Sequence, residues 1–431
     1  ASVDARLDYD EIATIARREQ PRIIVAGYTS YPWAPDWDRF RTIADEVGAY
    51  LLADISHPAG LVVAGEYPSP VGIADIVTFT THKTLFGPRA AVILSHKQNI
   101  MRRIDRSVFP GEQGGPHLNK IGAMAVAFAL ASTEAFRTTQ RQITANALAL
   151  ATSLQAEDIS LAYGGTDTHL LVIDLKRSGA SGDLRAEPAV RILDALGIVT
   201  NRNSLPGDIG FAAPTGVRVG TPWLTQRGFG VSDMETVAGI LGQAFRAMTG
   251  ITYPGRKTAR FRGRIEFSSL RQLKADVTAM AKRGLSEQTP PASNEEPETI
   301  LELRGRRVLA FADEISNQRV RDLQPGGAMH VGVSGPDATV HSFLFIRPNE
   351  KCLPRDRRLY AVTDPEKVVE MAAWLQAIAD GYVLLDRNEP SRKIVGPIAV
   401  INSSHQGART SGMVLDAASA SNLGSTGTTQ V

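Results

Sequence analysis

The sequence predicts an α/β fold built on a buried parallel sheet, and three observations carry that prediction. Two apolar runs, Ala49-Tyr-Leu-Leu-Ala53 and Val77-Thr-Phe-Thr80, end abruptly in polar residues and Gly/Pro turns, as strands do where a parallel sheet meets its ligand crevice. Helix-compatible segments such as residues 37–47 alternate with the strands, the rhythm of strand–helix–strand units. The polar residues at the two strand ends are also chemically matched, Asp54 and His57 after the first run, His82 and Lys83 after the second.

A buried strand that delivers one lysine to its carboxyl end holds an amine in a fixed pocket. There the amine can lose its proton and form a Schiff base with a carbonyl compound. Taken alone, Thr81-His82-Lys83 reads as a solvated strand cap, and Asp54 changes that reading. A carboxylate and a Schiff-base lysine in one crevice are what pyridoxal 5'-phosphate requires. The lysine holds its aldehyde, and the carboxylate keeps the pyridine nitrogen protonated so that the ring acts as an electron sink. A third run, Val108-Phe-Pro-Gly-Glu-Gln-Gly114-Gly115-Pro116, leads into a helical pattern from Asn119. Its paired glycines let backbone N–H groups approach a phosphate near a helix N-terminus, although by itself such a pair is only a turn.

The segments Asp54-Ile-Ser-His57-Pro-Ala-Gly-Leu61, Thr80-Thr-His82-Lys83-Thr-Leu-Phe-Gly-Pro-Arg89 and Phe109-Pro-Gly-Glu-Gln-Gly-Gly-Pro116 together resemble the serine hydroxymethyltransferase family. The likeness continues through Gly216-Val-Arg218-Val-Gly-Thr-Pro222 and Thr225-Gln-Arg-Gly-Phe229. It implies the aspartate-aminotransferase-like fold (fold type I of the pyridoxal-phosphate enzymes). It also implies a transferase that interconverts serine and glycine by aldol and retro-aldol steps, with tetrahydrofolate as co-substrate. On this resemblance Lys83 is the Schiff-base lysine and Asp54 the partner of the pyridine nitrogen. His57 lies near the cofactor's phenolic oxygen, and Thr29 falls where the family has a serine contacting the same oxygen. His82 lies near the cofactor phosphate, Thr80 lines the reacting face, and Arg89 supports the pocket. Arg218 binds the amino-acid carboxylate through a bidentate pair, in place of the surface ion pair that an isolated arginine suggests. Gly114 and Gly115 would reach the cofactor phosphate of a neighbouring subunit, which implies a homodimer or tetramer. No metal is implied.

Two departures from the family pattern bear on activity. The family's N-terminal arm, with its first phosphate loop, acid/base glutamate and ring-stacking aromatic residue, has no counterpart here. The chain therefore reads as a fragment of a longer protein, with an inactive fragment or interaction module as one alternative. The stretch from Asn201 to Gly216 stands where the family has a loop that helps bind tetrahydrofolate. There Gly207 takes the place of an asparagine and the loop is one residue shorter. Without that amide a folate ring lacks a polar partner. A second reading follows, a folate-independent β-hydroxy-amino-acid transaldolase that cleaves threonine and passes a glycyl unit to an aldehyde.

Composition frames these expectations. The chain has 431 residues, 43% of them apolar and 21% charged, with a formal charge of +2, so nothing in its charge calls for nucleic acid or a membrane surface. One cysteine, Cys352, permits neither an intramolecular disulfide nor a cysteine metal cluster. No apolar run approaches the ~18 residues of a membrane span, and the acidic start is unlike a signal peptide; a cytoplasmic protein is expected. Residues 1–150 read as part of a large cofactor-binding domain, with one long helix over 119–156, and residues 151–285 as a small α/β domain. The basic patch from Arg256 to Arg264 reads as a solvated loop. Residues 286–298, rich in Pro, Glu and Ser, form a linker. Residues 299–402 make an additional α+β domain, with a faint likeness to a folate barrel at Ile315-Ser-Asn-Gln-Arg-Val-Arg, and 403–431 read as a disordered tail.

Overall fold

A computed structural model describes residues 6–179, 181–208, 213–253, 260–283, 300–336, 339–349, 357–363, 366–380 and 399–402. The expected linker and C-terminal tail lie outside the described residues. The chain divides into two compact units. The first comprises Ala1–Val190, Val199–Arg246 and Met280–Leu285, the second Arg191–Ile198, Ala247–Ala279 and Ser286–Val431.

The first unit begins with α1 (Tyr9–Glu19), β1 (Ile23–Ala26), α2 (Trp37–Glu46), β2 (Tyr50–Asp54), α3 (Ala59–Ala64), β3 (Ile76–Thr80) and β4 (Ala91–Leu94). The strands form one sheet in the order β1-β2-β3-β4. The first three are parallel, with Ala26 opposite Ala53 and Asp54 opposite Thr78, and β4 returns antiparallel to β3. Asp36 starts α2 by accepting a hydrogen bond from the Arg39 N–H at 2.9 Å, the usual work of an N-cap carboxylate. The helix then buries Trp37, Phe40 and Ala44 against Leu51, Ala53 and Val77 of the sheet. The expectation of a sheet buried on both faces fails at β1, where Val25 is 66% exposed. There the pleat alternates, and α2 covers only the face on which Ala26, Leu51 and Ala53 lie.

Next come α4 (Gln98–Arg106), α5 (Leu118–Ala131) and α6 (Glu134–Ala156). The single long helix expected over 119–156 is thus two. Ser132 and Thr133 break it, and the Thr133 hydroxyl caps the second helix by accepting from the Phe136 N–H at 3.2 Å. Beyond them lie β5 (Leu170–Asp174), β6 (Ser181–Gly182), α7 (Ala186–Leu196), β7 (Asn201–Asn203), β8 (Gly216–Gly220), α8 (Pro222–Gln226) and α9 (Asp233–Ala247). Strands β5, β8 and β7 make a small antiparallel sheet in that order.

In the second unit β9 (Met248–Tyr253) pairs antiparallel with β10 (Arg260–Ile265). Residues 260–264 of the basic stretch are therefore strand and not a solvated loop, and 256–259 lie outside the described residues; Arg262 is exposed, whereas Arg264, beside the buried pair Met248 and Ile265, is buried. After α10 (Phe267–Arg283) come β11 (Ile300–Arg304), α11 (Val308–Ile315), β12 (Ala328–Ser334), β13 (Val340–Ile346), β14 (Arg358–Val362), α12 (Val368–Asp380) and β15 (Ala399–Asn402). The last five strands form an antiparallel sheet in the order β12-β13-β14-β11-β15. Phe311, Phe343 and Phe345 are among its buried residues, and Phe267 meets Trp374 edge-on at 4.6 Å. No helix among the described residues is long and apolar enough to cross a membrane.

One buried carboxylate ties the first sheet to its helix. Asp75, 2% exposed, accepts hydrogen bonds from the Leu51 N–H of β2 at 2.7 Å and from Arg41 Nη1 of α2 at 2.8 Å. It also pairs with Lys97 just after β4, while its own carbonyl accepts from the Ser95 hydroxyl at 2.7 Å. Burial pushes the Asp75 pKa up, but Lys97, Arg41 and the Leu51 N–H outweigh it and hold it down at about 2. Asp75→Ala is predicted to destabilise the unit by about 3 kcal/mol at pH 7, since two cations lose their buried partner. A depressed carboxylate stabilises the fold above its unfolded pKa and stops doing so as pH falls through its folded value. Urea unfolding curves of parent and variant should therefore differ at neutral pH and converge between about pH 4 and pH 2; equal midpoints at pH 7 would refute the role.

Candidate active site

The carboxyl ends of β1, β2 and β3 open onto one edge of the sheet, as their parallel register requires. At the end of β2 the Asp54 carboxylate turns back and accepts from the Ser56 N–H at 2.8 Å. The chain leaving β1 passes so close that a Cβ on Gly27 would lie 2.3 Å from the Asp54 carbonyl oxygen, so only glycine fits there. At the end of β3, Thr80 is bound to Ser56, its N–H donating to the Ser56 hydroxyl at 3.2 Å and its hydroxyl to the Ser56 carbonyl at 3.4 Å.

Lys83 sits in a turn fixed by two buried threonines. The Thr81 hydroxyl donates to the Pro88 carbonyl, and the Gly87 N–H returns to the Thr81 carbonyl at 2.7 Å. The Thr84 hydroxyl donates to the His57 carbonyl at 2.6 Å and accepts from the Gly60 N–H at 3.0 Å. Gln140, buried in α6, donates to the Thr84 carbonyl at 2.9 Å. The turns after β2 and β3 are thereby held as one piece.

Above them lies a cavity of about 500 Å³ whose wall includes Lys83, His57, His82, Arg218, Asn201 and His169, a size suited to a small-molecule ligand. Burial lowers the Lys83 pKa, and Arg218 lowers it further while Asp54 opposes. Burial and then the charges of Lys83 and Arg218 push His57 down to about 4, against Asp54, so its imidazole is neutral at pH 7. His82 is lowered by burial, then by Arg89 and Lys83, and its Nδ1 is buried without a hydrogen-bond partner among the described residues. Arg218 comes from β8, where it stands opposite Asn201 of β7. Its guanidinium donates to Asn201 Oδ1 at 2.9 Å and to the Thr29 carbonyl. Neither acceptor is charged, which leaves the cation available to an incoming carboxylate. Burial lowers its pKa as well.

The structure thus brings Lys83, His57, His82 and Arg218 to one cavity. Asp54 lines a smaller chamber that shares His57 with it. Thr29 takes part through its backbone carbonyl, its side chain being exposed. Thr80 is engaged with Ser56, and Arg89, Gly114 and Gly115 are exposed and stand outside the cavity wall. Sequence reasoning missed His169, Asn201 and Thr84. Thr84 lies within the Lys83 run and was legible as a hydroxyl beside it, whereas the other two reach the site through strand pairing and packing. The loop carrying Gly207 is closed by Asp208, which accepts from the N–H groups of Leu205 and Thr215 at 2.8 and 2.9 Å and pairs with Lys176 at 2.8 Å. Arg218 follows on the strand that this clamp anchors.

With this geometry in view, the chain can be set against known proteins. A family model described as serine hydroxymethyltransferase matches residues 2–241. A serine hydroxymethyltransferase of Sorangium cellulosum (strain So ce56) is 51% identical over 236 residues, which are 54% of this chain and 55% of that protein. Another, of Phenylobacterium zucineum (strain HLK1), is 44% identical over 263 residues, 61% of this chain and 60% of that protein. A third, of Rippkaea orientalis (strain PCC 8801 / RF-1), is 44% identical over 237 residues, 55% of each. The chain therefore spans 55–60% of the length of these relatives. With more than half of its residues matched by the family model and a lysine, three histidines and an arginine gathered in one cavity, the chain belongs to the serine hydroxymethyltransferase family.

Proposed function

We propose that this chain carries the amine and carboxylate-binding side of a pyridoxal-phosphate-dependent aldol site that interconverts serine and glycine with tetrahydrofolate. The observation that carries the reading is the pairing of Lys83 and Arg218 in one cavity. The Lys83 amine is depressed by burial and makes no hydrogen bond among the described residues, and the Arg218 guanidinium is held among them by neutral oxygens. The residues present fit the cofactor. A desolvated amine suits its aldehyde, the Asp54 carboxylate suits its ring nitrogen, and the unpartnered buried Nδ1 of His82 can serve its phosphate or an attendant water.

When bound, pyridoxal phosphate supplies an electron sink for the carbanion formed as a carbon–carbon bond breaks. The residues do the rest. Lys83, its pKa lowered, gives up a proton more readily than a surface lysine and becomes nucleophilic. Arg218 fixes the amino-acid carboxylate by a planar, bidentate contact and so orients the bond to be broken. His57, neutral at pH 7, would serve the cofactor's phenolic oxygen as a hydrogen-bonding group and not as a second cation beside Lys83. Thr80 and Thr29 stand at the strand ends flanking this centre, and Arg89 supports the turn after Lys83. Gly114 and Gly115 serve the cofactor phosphate of a neighbouring subunit in a homodimer or tetramer. A second reading, transaldol transfer from threonine to an aldehyde, rests on Gly207, which puts no side chain into the turn that Asp208 closes.

Lys83→Ala is expected to abolish the visible absorbance that the parent gains on adding pyridoxal phosphate; a variant that keeps the band would sink the assignment. Arg218→Lys is expected to keep the band but weaken amino-acid affinity about 30-fold, because one charge-assisted bidentate contact of about 2 kcal/mol is lost. Titration of glycine against both proteins, followed by the change in cofactor absorbance, reads this directly. Product formation from serine with tetrahydrofolate, against threonine with an aldehyde, separates the two acceptors.

A further inference from the structure

His169 stands just before β5, and its ring is stacked nearly parallel to that of His57, the centroids 5.7 Å apart and the planes 16° from parallel. The residue is 7% exposed, and its Nδ1 is buried with no hydrogen-bond partner among the described residues. Both rings are carried on backbone held at several points. The His57 carbonyl accepts from the Thr84 hydroxyl at 2.6 Å, and the His169 carbonyl accepts from the Thr221 N–H at 3.0 Å. Just before His169, the hydroxyls of Thr166 and Thr168 stand 3.2 Å apart, and Thr166 also donates to the Pro32 carbonyl at 3.1 Å. His57, His169 and Leu170 line both the large cavity and the smaller chamber, whose wall also includes Asp54, Tyr28, Tyr31 and Tyr67. That chamber has an open volume of about 10 Å³, room for about one water.

We infer that His169 is a positioning residue for His57: the stacked imidazole fixes the plane of the His57 ring and keeps bulk water from that face. A leucine could fill part of the same space, but it offers no flat face to the His57 ring and leaves a gap that water can enter. A buried imidazole nitrogen left without a partner is unfavourable, so packing alone is a poor reason for histidine here. Its Nδ1 is the natural partner of a single water in the small chamber. The titratable groups facing the pair are Lys83, Arg218, Asp54 and His82, with Tyr28, Tyr31 and Tyr67 on the chamber wall. Burial is the first cause that lowers both imidazoles, so admitting water to one face of His57 raises its midpoint.

The inference concerns the site proposed above, but its test needs no cofactor. Histidine ring resonances of the parent protein, assigned with a His57→Gln variant, are followed by NMR across pH 3–8. A His57 midpoint below about pH 5 and ring-to-ring contacts with His169 are required; a midpoint near the ordinary value of about 6.5, or no such contacts, overturns the inference. His169→Phe preserves a flat ring and should leave the His57 midpoint within about 0.3 of the parent's, whereas His169→Leu should raise it by about one pH unit. Equal shifts in the two variants, or none in either, reject the stacked imidazole as the device. Pyridoxal phosphate absorbance in the same variants then reports separately on the cofactor assignment.

Discussion

The buried hydroxyl of Thr84 joins the two turns on which the candidate site depends. From the turn after β3 it donates to the His57 carbonyl and accepts from the Gly60 N–H, both in the segment after β2, while Gln140 holds its own carbonyl. Gly60 permits this closeness, since a Cβ there would lie 2.2 Å from the Thr84 carbonyl oxygen. His57 and Lys83 are thereby attached to one rigid frame and not to two independent loops. Rigid support of this kind keeps a flexible lysine near its target at small entropic cost.

That frame also determines the electrostatics. Lys83, His57, His82 and Arg218 converge in partly desolvated surroundings, and their mutual repulsion adds to burial in lowering each histidine. Asp54 opposes the effect at Lys83 and His57. A cavity with two cations, neutral imidazoles and one carboxylate nearby favours anionic and carbonyl-bearing ligands over cations. Arg218 remains charged regardless of its lowered pKa, because a guanidinium does not deprotonate at physiological pH. The division of labour follows: a titratable amine for covalent chemistry and a permanent cation for carboxylate recognition.

Much of this was legible in the chain itself. Strand ends carrying Asp54 and Lys83 announce themselves by an abrupt change from apolar to polar residues followed by Gly and Pro. The break between α5 and α6 was less visible, because Ser132 and Thr133 are weak punctuation inside a helix-forming stretch. Arg264 was misread for a related reason. A run of arginines looks solvated, but of Arg262 and Arg264, which share one strand face, the second lies beside the buried Met248 and Ile265 and leaves solvent. The expected burial of both sheet faces rested on apolar character alone, and β1 shows that an apolar strand can still expose Val25.

By itself the sequence determined which chemical groups stand at the ends of β2 and β3, because the alternation of strand and turn is a local property of the residues. Only the tertiary structure decided that Arg218 and Asn201 meet across β7 and β8, that Thr84 locks to His57 and Gly60, and that His169 stacks on His57. Those contacts depend on register and packing between segments distant in sequence, and no local pattern of residues encodes them.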